Sequence, residues 1–203
     1  MRTTSYVLIC ALFAFVFCAS SNATEPLYEG LGDYSRKITT KDAKAQRYFD
    51  QGLALLHGFN HAGAIRSFQE AARIDPRCAM AHWGVALAAG PHINYALVPP
   101  PMAELAWKEI TLAKQHASNA SEVEQSLIEA LSKRYAYPQP EDRAPLDQAY
   151  AEAMRAVWNR FPDDVDVGAL FAEAMMDLRP WNHFAHVTHG KFALAGQIYR
   201  RSL

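Results

Sequence analysis

The segment LLHGFNHAGA, residues 55–64, sets His57 and His61 four apart, and on one continuous helix that spacing would place two imidazoles on the same face. Two imidazoles are half of a zinc site, which needs two further ligands, and this stretch supplies none. A second group, His183, His186 and His189, is spaced by threes. Each step of three turns a helix by about 60°, so on a helix the trio fans out instead of converging, and only in a loop would it chelate. His82-Trp83 and the run PHINY, with His92, Asn94 and Tyr95, border a long loop, the kind of segment that carries function more often than the helices beside it. Carboxylates in EVEQSLIE occupy positions expected of a solvated helix face. An acid–base pair would need a cleft and a shifted pKa. There is no G-x-S-x-G, phosphate loop, H-E-x-x-H or C-x-x-C-H. The reading is of no enzyme, with no catalytic residue, no cofactor and no resident metal. An exported metal-binding protein using His92 or the tail histidines is the alternative.

Composition narrows the class further. The 203 residues carry a formal net charge of −1 and are 50% hydrophobic, enough for one domain with a sizeable core. No long basic run offers itself to phosphates, which argues against nucleic acid as a partner. The opening text, MRTTSYVLICALFAFVFCASSNATEP, has an early Arg, an apolar run from Tyr6 to Ala19, and then small and polar residues. That is the layout of a secretory signal peptide cleaved after Ala23. The apolar run is shorter than the roughly 20 residues of a spanning helix, so no stable membrane span is expected after cleavage, and the location expected is periplasmic or secreted. Loss of the leader would remove Cys10 and Cys18 and leave Cys78, a small buried filler with no partner for a disulfide.

The elements that must position these residues follow from a recurrent spacing. After Gly52 come Ala64 at +12, Phe68 at +16, Ala71 at +19 and Pro76 at +24, with aromatic Tyr48 ahead of the glycine. Small residues let two antiparallel helices approach closely, Phe68 fills the space between them, and Pro76 stops the second. His57 then ends the first helix and His61 begins the second, with Gly58, Phe59 and Asn60 as the turn and Asn60 as N-cap. The shared face for the two histidines is lost. A second unit places Ala86 34 residues after Gly52, and Ala106, Ile110 and Ala113 on a second helix, separated by a loop from Gly90 to Pro101. In a third, Ser121 and Glu124 form a capping box, and LDQAYAEAMRAVWNRFP carries a helical stripe ending before Pro162. DDVDVGALFAEAMMDL, apolar nearly all round, expects neighbours on both sides.

The G-x11-A-x3-F-x2-A-x4-P spacing resembles the tetratricopeptide repeat, here of exported bacterial type. The resemblance implies an all-α, right-handed α-solenoid of helical hairpins, with about three and a half repeats. The expected organisation is a signal peptide 1–23, an N-terminal segment 24–43, a repeat domain 44–180, and an atypical tail 181–203 expected to be poorly ordered. It further implies a non-catalytic scaffold whose concave groove holds a peptide or a partner's helix. The family's inward-facing positions fall on Gln46, Phe49, Leu53, Leu56 and His57, then Met80, Trp83 and Leu87, then Glu124, Leu127, Leu131 and Arg134. Phe49 and Leu53 stand where a subgroup that clamps acidic peptide termini has Lys and Asn, so a hydrophobic segment anchored on Trp83 and Phe49 is the expected protein partner. The alternative cover for these residues is the chain's own segment 24–43 or a missing repeat. No polar cap is visible at the end of the array, so self-association through an uncapped C-terminal repeat, or a shortened version of a longer array, is a further expectation.

Overall fold

The computed structural model describes residues 25–179. Residues 1–23, where a signal peptide is expected, and the tail histidines His183, His186 and His189 lie outside the described residues. Among the described residues there are seven α-helices and no strand: α1 Ala43–His57, α2 His61–Ile74, α3 Ala79–Ala89, α4 Pro100–His116, α5 Glu122–Ser132, α6 Ala144–Arg160 and α7 Val165–Asp177, with a single 3₁₀ turn, Ala117–Asn119, after α4. None of these helices is long and apolar enough to cross a membrane.

Local chemistry sets most of the boundaries. Asp42 caps α1 by accepting from the N–H groups of Lys44 and Ala45 at 2.8 and 3.1 Å. Asn60 caps α2 through Gly63 at 3.0 Å, and Asp164 caps α7 through Val167, also at 3.0 Å. Each cap satisfies donors that the first turn would otherwise leave open. In α5 the Glu124 carboxylate accepts from the Ser121 N–H at 2.7 Å. α2 stops just ahead of Pro76, α6 ahead of Pro162, and α4 begins at Pro100, where a missing N–H does no harm.

The helices pack in sequential pairs around one apolar cluster, and α3 touches both α1 and α5. Phe68 is the wedge at the first junction. It is fully buried, tilted against Phe49 at 5.3 Å, and flanked by Gly52 and Gly84. A methyl at either glycine would fall inside the van der Waals envelope of the Phe68 ring. Ala86 is small and buried as expected, but Gly84, two residues earlier, is what gives Phe68 its room on α3. Every residue of α3 is buried. Trp83 donates from its indole to the Leu127 carbonyl at 3.3 Å, and Tyr135 donates to the Ala86 carbonyl at 2.6 Å, so two aromatic side chains tie α3 to the third pair. α7 contributes Val167, Leu170, Phe171, Ala174 and Met175 to the same cluster. Residues 25–41 form an irregular strap that crosses the helices before α1 begins.

Candidate functional site

Most of the expected groove positions are buried in the chain's own core. Phe49, Leu53, Met80, Trp83, Leu87, Leu127 and Leu131 are core residues. Leu56 is half-buried against them, and His57 is exposed at the end of α1. Trp83 therefore acts as an internal tie in this conformation, where its residue type had suggested an anchor for a partner. Arg134 is also buried. It pairs with Asp177, lies 3.6 Å from Asp147, and stacks over the Tyr150 ring at 4.6 Å. Ile38 of the strap belongs to the same apolar cluster as the groove residues.

The strap lies across this assembly in a specific manner. Gln46 on α1 uses both ends of its amide: Nε2 donates to the Arg36 carbonyl at 2.8 Å and Oε1 accepts from the Ile38 N–H at 3.0 Å. Asp50, one turn along, accepts from the Arg36 N–H at 3.1 Å and the Ser35 hydroxyl at 2.7 Å. Burial lifts the Asp50 carboxyl above its ordinary range, against the hydrogen bonds from Ser35, Gln46 and Arg36. Glu124, besides its capping role, accepts from the Thr39 N–H at 2.7 Å and from the Thr39 hydroxyl. Thr40 donates to Asp75 at 2.7 Å. The Arg36 guanidinium, its side chain 9% exposed, enters a fork at the start of α7, meeting Asp164 at 2.8 and 3.0 Å and Asp166 at 2.6 Å. Burial would raise the Asp164 carboxyl, but Arg36 and the Val167 N–H outweigh it and hold the group below its ordinary value. Upstream, Tyr48 donates to the Glu25 carbonyl at 2.7 Å, Gln51 accepts from the Tyr28 N–H at 2.7 Å, and Arg66 pairs with Glu25 at 2.7 Å.

A second cluster gathers around His61 on α2 and His92 in the α3–α4 loop. His61 at the start of α2 stacks on His92 with ring centres 3.9 Å apart, and Phe59 and Tyr95 complete an aromatic row at 6.2–6.4 Å. Phe59 sits in the left-handed region at φ 59° and is 53% exposed, while Tyr95 is 50% and Leu97 71% exposed. Burial pulls the His61 pKa down; burial, His61 and Arg134 together pull His92 down to about 4. Nearby, burial and Asp177 push the Glu173 carboxyl up to about 7. Face-to-face rings direct their lone pairs side by side and not at a common point, which is the wrong geometry for a chelating pair. Among the described residues no group of three or more His, Cys, Asp or Glu is disposed to hold a metal ion. His82 is engaged elsewhere, with Nδ1 2.6 Å from Glu109 and Nε2 3.1 Å from the Pro76 carbonyl. Cys78 is buried and its thiol is pushed up to about 11 by that burial.

Segment 24–43 is the alternative cover expected for these positions, but its individual contacts leave no periodic signal, because an extended segment has no repeat to detect. Comparison with family models, with curated proteins and with solved structures returned no match.

Proposed function

We propose that this protein is an exported, non-catalytic interaction scaffold: a right-handed solenoid of tetratricopeptide-like hairpins that holds an extended segment along its inner face. One observation carries the reading. The Gln46 amide grips an extended backbone at both a carbonyl and an N–H, which is recognition of main chain by side chain. The repeat-like spacing of Gly52, Ala64, Phe68, Ala71 and Pro76 supports the solenoid, and the leader-like text of residues 1–23 supports export. The carboxylates of the face are engaged by the strap: Asp164 and Asp166 by the Arg36 guanidinium, Glu124 by Thr39, and Asp50 by Ser35 and the Arg36 N–H.

The partner is then a polypeptide segment bound through polar clamps over an apolar floor. Its test is selection from a random peptide display library on the full chain, with the strap severed by a protease site inserted between Lys41 and Asp42. Enrichment of a shared motif that is lost in Gln46→Leu and Glu124→Leu proteins is expected. Failure to enrich any motif on a nicked protein of unchanged circular dichroism would overturn the proposal.

A further inference from the structure

Resting on that scaffold reading, we infer that residues Asp33–Lys41 are a resident self-ligand, and that the segment displacing them carries the strap's own pattern: arginine, any residue, a branched aliphatic residue, then a hydroxyl residue. The two-residue period of an extended chain is visible in what is buried. Arg36 and Ile38 turn inward, while Lys37 between them is exposed. Arg36 and Ile38 each meet a distinct surface, and Thr39, though exposed, is met from the side by Glu124. The Asp164–Asp166 fork takes the arginine with three charge-assisted bonds, a planar arrangement that a lysine cannot reproduce. Ile38 drops into the apolar floor. Glu124 takes the N–H and the hydroxyl of Thr39 together, which selects a hydroxyl at that place. Gln46 reads only backbone and is indifferent to side chains.

The contacts also explain why this section can leave while its neighbours stay. Glu25 and Tyr28 are moored separately to Tyr48, Gln51 and Arg66. Between Tyr28 and Asp33 the chain is exposed, and contacts with the face resume at Tyr34, whose hydroxyl donates to Asp166. That slack lets residues 35–41 bow away from the face without unseating either the upstream mooring or α1. A cleft of about 840 Å³ opens along the downstream flank of the strap, beside Ile38, Thr39, Asp75 and Glu124, so a competing chain has a place to enter. A tethered plug of this kind competes at millimolar effective concentration, and the uncut protein is held in a low-affinity state.

The test uses the full chain carrying the protease site between Lys41 and Asp42, cut and uncut, and a fluorescent peptide of the strap sequence DYSRKITTK read by anisotropy. The cut protein should bind the peptide at least about tenfold more tightly than the uncut protein. A peptide with Arg36→Glu, or a protein with Asp164→Asn and Asp166→Asn, should lose about tenfold or more. Uncut protein carrying Arg36→Ala should gain affinity for the wild-type peptide, and this variant answers the question without cleavage. Equal binding of the wild-type and Arg36→Glu peptides would overturn the inference, as would loss of helical circular dichroism on cutting, which would make the strap a structural element. Display-selected peptides that bind while the strap peptide does not would overturn it and leave the scaffold reading standing. Binding by no peptide at all, to cut protein that remains folded, would overturn both.

Discussion

Phe68 shows how a single side chain fixes the distance between elements. Its ring lies between Gly52 on α1 and Gly84 on α3, with Phe49 at 5.3 Å limiting its retreat. An alanine at either glycine would gain about 1 kcal/mol of helix propensity but press a methyl into a ring that has nowhere to go, and overpacking of that kind costs about 1–3 kcal/mol. The clash wins. Gly84→Ala should lower the urea midpoint, and adding Phe68→Leu should recover part of the loss, a coupling that a double-mutant cycle measures directly. Additive effects would show that Phe68 is not the obstacle. The buried His82–Glu109 pair acts at the same scale. His82→Ala leaves the Glu109 carboxylate without its partner at a largely buried site, and the expected loss is about 3 kcal/mol, again read by urea unfolding.

Arg134 does for the later helices what Phe68 does for the first ones. It emerges from the end of α5, stacks on Tyr150 of α6, and pairs with Asp147 of α6 and Asp177 of α7. Arg134→Leu should destabilise the fold by about 3–5 kcal/mol by leaving buried carboxylates short of their cation. Arg134→Lys should rescue little, because an ammonium cannot stack and pair in several directions at once. Full rescue by lysine would reduce the site to a point charge. Elements joined by such contacts differ in how far the sequence discloses them. The α1/α2 and α3/α4 pairs were legible because close helix approach demands small residues at fixed intervals, as at Gly52, Ala64, Ala71, Ala106 and Ala113. The turn at Gly58, Phe59 and Asn60 was legible because Asn60 caps and a helix cannot pass through it. For the positions expected to face inward, a partner's groove and cover by the chain itself were both open, because Trp83 and Arg134, here buried, have residue types common at interfaces and in cores alike. Segment 24–43 was open as an alternative cover, but its anchor points were not legible, because Arg36 and Asp164 stand 128 residues apart and nothing periodic connects them. The His61–His92 stack escaped for the same reason, since a loop brings the second ring to the first.

At the scale of the whole molecule these buried titrations combine into a stability profile with opposed limbs. His61 and His92 have folded pKa values below the ordinary 6.5, His92 near 4, so the unfolded chain takes up protons that the stacked rings refuse. Their contribution is complete above pH 6.5 and is lost as pH falls from 6.5 towards 4. His82 is the reverse. Burial would lower it, but Glu109 and the Pro76 carbonyl win and raise it, so its contribution is complete below 6.5 and disappears as pH climbs through the folded value. Glu173, raised from 4.5 to about 7, also favours the acid side: its contribution is complete below 4.5 and is lost between 4.5 and 7. Between pH 4.5 and 6.5 two histidines pull against one carboxyl; above 6.5 His82 and the last of Glu173 pull together; below 4.5 Glu173 no longer offsets the acid loss. Stability should therefore peak near pH 6 to 7, with an acid limb set by the stacked pair. Urea midpoints measured from pH 4.5 to 8 check this. Replacing the stack by His61→Phe and His92→Phe should flatten the acid limb and spare the alkaline one, whereas His82→Gln should flatten only the alkaline limb. An acid limb of unchanged slope in the doubly substituted protein would place the sensitivity elsewhere, and Asp164, whose carboxyl is held low by Arg36 and loses that stabilisation on protonation, would then be the group to examine.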